Sequence, residues 1–187
     1  MYRKMTAILI FIFSLALTLT FAQQPKSEKL TKLEDALKDD VPKILCVNEN
    51  FATAAQPKDE AWAKLAANGF KAVLNLRTAN EGIDFAKERE AIEKAGMRYL
   101  NIPITGSDPK AEQAEAFIKT VKDASNHPML IHCASANRVG AFFMIYRVIE
   151  QGWAEDKALE EAKQIGLTSP VLTKFAQDYI AAHKKNQ

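Results

Sequence analysis

The strongest constraint on this chain is a rhythm that repeats along it. From Val41 onward, apolar runs of four or five residues alternate with stretches of helical period. The runs are Ile44-Leu45-Cys46-Val47, Phe51-Ala52-Thr53-Ala54, Ala72-Val73-Leu74-Asn75-Leu76, Arg98-Tyr99-Leu100-Asn101-Ile102 and Met129-Leu130-Ile131-His132. Between them, Pro57 and Gly69 bracket one helix, Phe85–Ala95 is closed by Gly96, and a third starts at Pro109 and runs to about Ser125. In the third, Ala114, Phe117, Ile118 and Val121 recur at the spacing of one helix face. Val139–Ile149 is apolar on nearly every side, which marks a helix buried in the middle of the domain. Helices over 155–165 and 170–184 follow, the last with Ser169 as N-cap and Pro170 in the first position. The expected fold is α/β: a mainly parallel sheet of about four to five strands flanked by helices, with a helical C-terminal third.

Residues 1–22 read as a signal peptide. Arg3 and Lys4 precede an apolar run from Ala7 to Phe21, and Thr20 and Ala22 supply the small residues of a cleavage site. The run is short for a membrane span, and an uncleaved anchor is the alternative. Residues 23–40 read as a polar linker with a frayed helix, and residues 41–187 as one domain. Arg3 and Lys4 account for the whole net charge of +2, so residues 23–187 are balanced. No basic run or aromatic-basic interleaving points to nucleic acid. Export implies a periplasmic or secreted protein with no stable membrane partner once the signal is removed. In that setting Cys46 and Cys133 could pair as a disulfide.

The stretch Leu130-Ile131-His132-Cys133-Ala134-Ser135-Ala136-Asn137-Arg138-Val139-Gly140 carries the chemistry. A buried strand ends at a cysteine, four short residues follow, and an arginine opens a buried helix. Ligands of open α/β sheets bind beyond the carboxyl ends of strands. A helix start offers free N–H groups and the positive end of a dipole. Small residues at Ala134, Ser135 and Ala136 let successive amides turn inward around an anion, and Asn137 completes the loop. Arg138 adds a planar fork suited to two phosphate oxygens. The same field favours the thiolate of a cysteine, the form that attacks.

His132-Cys133…Arg138 between strand and helix resembles the signature of the cysteine-based protein tyrosine and dual-specificity phosphatases. Ala55-Gln56-Pro57, the helix after it, Gly69-Phe70-Lys71-Ala72-Val73-Leu74-Asn75-Leu76-Arg77 and Tyr99-Leu100-Asn101-Ile102-Pro103-Ile104 resemble the bacterial branch found beside β-lactamase-like hydrolases. The resemblance covers residues 42–182. It implies hydrolysis of phosphate monoesters through a phosphocysteine on Cys133, with Ala134, Ser135, Ala136, Asn137 and Arg138 binding phosphate. It also implies a phosphorylated protein or small phosphate ester as partner, and no cofactor. Two departures stand out. That signature has five residues between Cys and Arg, whereas this chain has four, and Val139 stands where a hydroxyl usually follows the Arg. Four is the spacing of rhodanese-like sulfurtransferases, so a persulfide carrier is an alternative. A non-catalytic phosphate-binding module is another.

The resemblance implies an acid on the loop after the fourth strand, and Asp108 in Thr105-Gly106-Ser107-Asp108-Pro109 is the candidate. Asp108 also reads as a helix N-cap. His132 is implied to shape the loop by bonding to backbone, and it points away from Cys133 along a strand. His127 and His183 read as surface residues, and three scattered histidines make no metal site. Arg77 and Gln56 are weaker candidates for anion contact.

Overall fold

The computed structural model describes residues 26–184. The signal-peptide reading of residues 1–22 therefore lies outside the described residues. The elements, in chain order, are α1 (Glu28–Leu37), β1 (Leu45–Cys46), β2 (Phe51–Ala54), α2 (Ala61–Ala67), β3 (Ala72–Asn75), α3 (Phe85–Lys94), β4 (Arg98–Asn101), α4 (Ala111–Lys122), β5 (Met129–His132), α5 (Asn137–Ile149), α6 (Glu155–Ile165) and α7 (Pro170–Lys184). They build an α/β domain around a five-stranded sheet of order β1-β2-β5-β3-β4. Only β1 runs antiparallel, against β2; the other three pairings are parallel.

Strand β5 is central. His132 lies opposite Ala54 on one side and Asn75 on the other, and all four of its residues are buried. The point where the chain leaves this strand is thus flanked by the carboxyl ends of β2 and β3. Successive strand residues project to opposite faces. Ala72, Leu74, Met129, Ile131 and Cys133 belong to the core shared with α4, α5 and α7. Ala52, Ala54, Val73, Leu130 and Tyr99 belong to the core shared with α1 and α2. This period-two alternation puts Cys133 on the α5 side and aims His132 the other way.

Residues 23–40 are not merely a linker, because α1 is part of the packed domain. Ser27 caps it through Oγ, which accepts from the Leu30 N–H. Leu30, Leu33 and Leu37 form a stripe at i, i+3 and i+7 that packs with Trp62 and Leu65. Two other helix starts also differ from expectation. Helix α2 begins at Ala61 rather than Pro57, and α4 at Ala111 rather than Pro109. The N-cap of α4 is Lys110, whose N–H donates to Gln113 Oε1. The α7 start is as expected: the Leu172 N–H reaches Ser169 Oγ at 3.4 Å.

Helix α5 is buried from Arg138 to Val148 and packs against α4, α6 and α7. Its crossing with the end of α6 depends on Gly140. A Cβ there would stand 2.6 Å from the Ala162 carbonyl oxygen and 2.9 Å from Leu167 Cβ. The nearer atom is backbone and cannot swing aside. Gly140→Ala should therefore cost about 1–3 kcal/mol, the range for overpacking a tight core. Chemical denaturation of the variant beside the wild type measures it.

Candidate active site

The chain leaves β5 at Cys133 and enters α5 at Asn137, and the intervening carbonyls are held from outside. The Gln56 N–H donates to the Ala134 oxygen at 3.4 Å, and Lys43 Nζ donates to the Ser135 oxygen at 3.2 Å. The Gly140 N–H donates to the Ala136 oxygen at 3.0 Å, starting the helix. The amides are treated differently. Among the described residues, the main-chain N–H groups of Ala134, Ser135, Ala136, Asn137 and Arg138 donate to no protein acceptor. Ala134 and Ser135 are exposed, but Ala136 and Arg138 are buried and Asn137 is half-buried, and amides in such places are rarely left this way unless an anion or water takes them. Ala136 adopts φ 69°, the left-handed conformation, with its side chain fully buried. Such a residue costs roughly 1–2 kcal/mol without glycine. The lack of a side chain at Gly166 leaves room for it: a Cβ there would lie 3.0 Å from that of Ala136 and 3.3 Å from the Ser135 oxygen.

Arg138 is 7% exposed and heavily bonded. Its NH1 donates to Glu81 Oε1 at 2.6 Å, to the Ile104 carbonyl at 2.9 Å and to the Leu76 carbonyl at 3.2 Å; NH2 donates to Glu81 Oε2 at 2.7 Å. Burial works against its charge, but Glu81 and the Cys133 sulfur, which also interacts with the guanidinium, outweigh burial and raise its pKa. Glu81 is correspondingly held at about 2, first by its bond from Arg138 and, against some burial, by the Thr78 N–H and hydroxyl. The turn Thr78–Glu81 presents this carboxylate through a capping box.

A hollow of about 420 Å³ opens over the loop. Thr78, Glu81, Thr105 and Gly106 line one side; Ser135, Asn137, Arg138, Ser169 and Leu172 line the other. Cys133 is fully buried and does not line it. Asn137 reaches the hollow, but its side chain is committed. Its Oδ1 accepts from the N–H groups of Thr168 and Ser169 at 2.7 and 2.8 Å, and its Nδ2 donates to Ser135 Oγ at 3.3 Å. Asp108 is not brought to the site. Its side chain is 66% exposed, binds Lys110 Nζ at 2.5 Å and faces a neighbouring groove with Pro170, Val171 and Lys174. Nor does it cap α4, whose first residue is Ala111.

On the opposite face of the sheet, a polar cluster supports the loop. Glu88 accepts from Gln56 Nε2 at 2.7 Å, Asn75 Nδ2 at 2.5 Å and the Tyr99 hydroxyl at 3.1 Å. Burial pushes its pKa up against those bonds. Arg77 donates to Gln56 Oε1, to the Glu81 carbonyl oxygen and, through Nε, to Glu81 Oε2 at 3.2 Å, so it braces the turn and the carboxylate that pairs with Arg138. His132 is fully buried, and its Nε2 stands 3.8 Å from Glu88 Oε1. Burial, with the Arg77 and Arg138 charges and against a backbone hydrogen bond at Cys133, lowers its pKa to about 3. This disfavours the imidazolium, the form that would donate a proton. Cys46 and Cys133 are both free thiols on opposite faces of the sheet, so the disulfide alternative is not realised. Burial, then Glu34, pushes the Cys46 thiol up to about 12.

Glu81 and Lys43 were not legible as site residues. The Thr78-x-x-Glu81 capping pattern was the only available signal for Glu81. No metal-ligating cluster occurs among the described residues.

A family model described as DSP-PTPase phosphatase fused to NAD+ kinase matches residues 28–178. A β-lactamase hydrolase-like protein of Xylella fastidiosa is 27% identical over 120 residues, which is 62% of this chain and 27% of that protein. The dual specificity protein phosphatase TpbA of Pseudomonas aeruginosa is 30% identical over 113 residues, 58% of this chain and 52% of TpbA. The chain thus spans about a quarter to a half of these relatives' length. A DUF442 protein of Shewanella putrefaciens shares the fold at a TM-score of 0.67 and 19% identity, covering 86% of this chain and 98% of that one.

The Arg138–Glu81 pair makes a pH-dependent contribution to stability. Glu81 has a folded pKa of about 2 against an ordinary 4.5, so the unfolded state binds more protons between those values. The stability that separates the wild type from Glu81→Gln should be fully present above about pH 4.5 and fade as pH falls toward about 2. Denaturation midpoints of both proteins at pH 7, 4 and 3 check this; a gap unchanged at low pH would refute it.

Proposed function

The chain belongs to this DSP-PTPase phosphatase family, and we propose that it is a phosphoric monoester hydrolase working through a phosphocysteine on Cys133. The observation that carries the reading is the run of unpartnered amides from Ala134 to Arg138, which follows Cys133 directly and ends at a buried guanidinium. In this reading the Cys133 thiolate attacks phosphorus. The loop amides and the remaining N–H groups of Arg138 hold the equatorial oxygens as charge develops on them. Water then hydrolyses the phosphocysteine. Glu81 and the carbonyls of Leu76 and Ile104 fix the guanidinium from four acceptors, so the arginine is oriented before a ligand arrives. The covered sulfur implies that a ligand displaces part of the lining as it enters. The basic start and apolar run of residues 1–22 support work outside the cytoplasm, in the periplasm or beyond.

The four-residue spacing, together with the tightly covered sulfur, favours a second reading. A small loop around a buried thiol suits a single added sulfur atom, as in a persulfide carrier. Thiosulfate treatment followed by mass spectrometry distinguishes it: one extra sulfur on Cys133 in the wild type, none in Cys133→Ser.

For the hydrolase, p-nitrophenyl phosphate is the test substrate. Turnover should fall to the uncatalysed rate in Cys133→Ser. Arg138→Lys should lose about 10²-fold or more, because a point charge cannot replace a fork shared between Glu81 and phosphate. Equal rates for the wild type and Cys133→Ser would sink the reading.

A further inference from the structure

Breaking a phosphate ester leaves an alkoxide or phenoxide that ordinarily needs a proton as it departs. Among the described residues, the hollow beside the loop that follows Cys133 is lined by one carboxylate, that of Glu81. Both of its oxygens are occupied by Arg138, at 2.6 and 2.7 Å, and Oε1 also accepts from the Thr78 N–H at 2.8 Å. A carboxylate bonded in this way is ionised and has no proton to give. Asp108 faces the neighbouring groove and is paired with Lys110. His132 lies on the other face of the sheet, and Lys43 holds the outer side of the loop through the Ser135 carbonyl. The rest of the lining is hydroxyl and amide: Thr78, Thr105, Ser135, Asn137 and Ser169, with Leu172 as the one large apolar side chain and no aromatic ring. Such a wall suits a small polar group rich in acceptors and gives an aryl ring little to pack against.

The geometry points to phosphoric anhydrides as substrates: a phosphoryl group joined to a second phosphate or to a carboxylate, either of which departs without being protonated. This rests on the hydrolase reading and specifies its substrate class. In the first step a sulfur–phosphorus bond forms and the phosphorus–oxygen bond breaks, the electron pair leaving on the phosphate or carboxylate. In the second step, water forms the new oxygen–phosphorus bond and the sulfur–phosphorus bond breaks. Cys133 returns as thiolate and both water protons stay on the released phosphate. Neither step draws a proton from the protein.

The experiment compares kcat/KM for acetyl phosphate, pyrophosphate, p-nitrophenyl phosphate, phenyl phosphate and glycerol phosphate, with Cys133→Ser rates subtracted. Wild type and Asp108→Asn are run in parallel. Both anhydrides should exceed phenyl and glycerol phosphate by about 10²–10⁴-fold, the factor a positioned acid would otherwise restore to the esters. Asp108→Asn should match the wild type on every substrate. The better of the two anhydrides identifies the leaving group as phosphate or carboxylate. Turnover of p-nitrophenyl phosphate without turnover of either anhydride would overturn the inference while leaving the hydrolase reading intact. So would a selective loss of the ester reactions in Asp108→Asn. If no substrate reacts above the Cys133→Ser rate, the hydrolase reading itself falls.

Discussion

The fork between Arg138 and Glu81 fixes much of what surrounds it. Arg138 opens α5, Glu81 closes the turn after β3, and the guanidinium also takes the carbonyls of Leu76 and Ile104, which follow β3 and β4. One side chain therefore ties the first turn of the central helix to the ends of two neighbouring strands. A buried ion pair is not by itself a source of stability, since desolvation offsets most of the attraction. Here four acceptors satisfy the charge, and the result is orientation. The helix start, the loop and the two strand ends share one reference point.

Two layers support that arrangement from behind. On one face the Glu88 cluster joins Gln56, Asn75 and Tyr99 beneath β5, and its members bond one another rather than the hollow. On the other, α5 buries nearly its full circumference and is gripped at Gly140 by the end of α6. The loop can then tolerate a run of amides without protein partners and an alanine in a left-handed conformation. These local costs sit where a ligand would recover them.

The alternation of strands and helices was readable because β2, β3 and β5 are short and fully buried, so their apolar runs stand out against amphipathic helices. The junction that carries Cys133 and Arg138 was readable because an apolar strand, a run of small residues and a buried helix follow one another directly in the chain. The acid was not. Asp108 before Pro109 looks like a helix start, but α4 begins at Ala111 with a bond between the Lys110 N–H and Gln113, and the aspartate turns to Lys110 instead. Glu81 was missed because its partner is 57 residues away, and local spacing carries no trace of such a pair. Helix α1 was underread because three leucines among charged residues form a stripe too thin to weigh, yet it lies against a sheet face that would otherwise be open.

The brace on the loop comes from far downstream. Asn137 receives the amides of Thr168 and Ser169, 31 and 32 positions later, and Gly166 leaves the room that Ala136 needs. During synthesis, the cysteine and arginine leave the ribosome well before the residues that hold them in shape. A nascent chain stopped between α5 and α7 would carry the whole motif yet lack its buttress. Anion affinity should therefore arrive late and abruptly as the polypeptide lengthens.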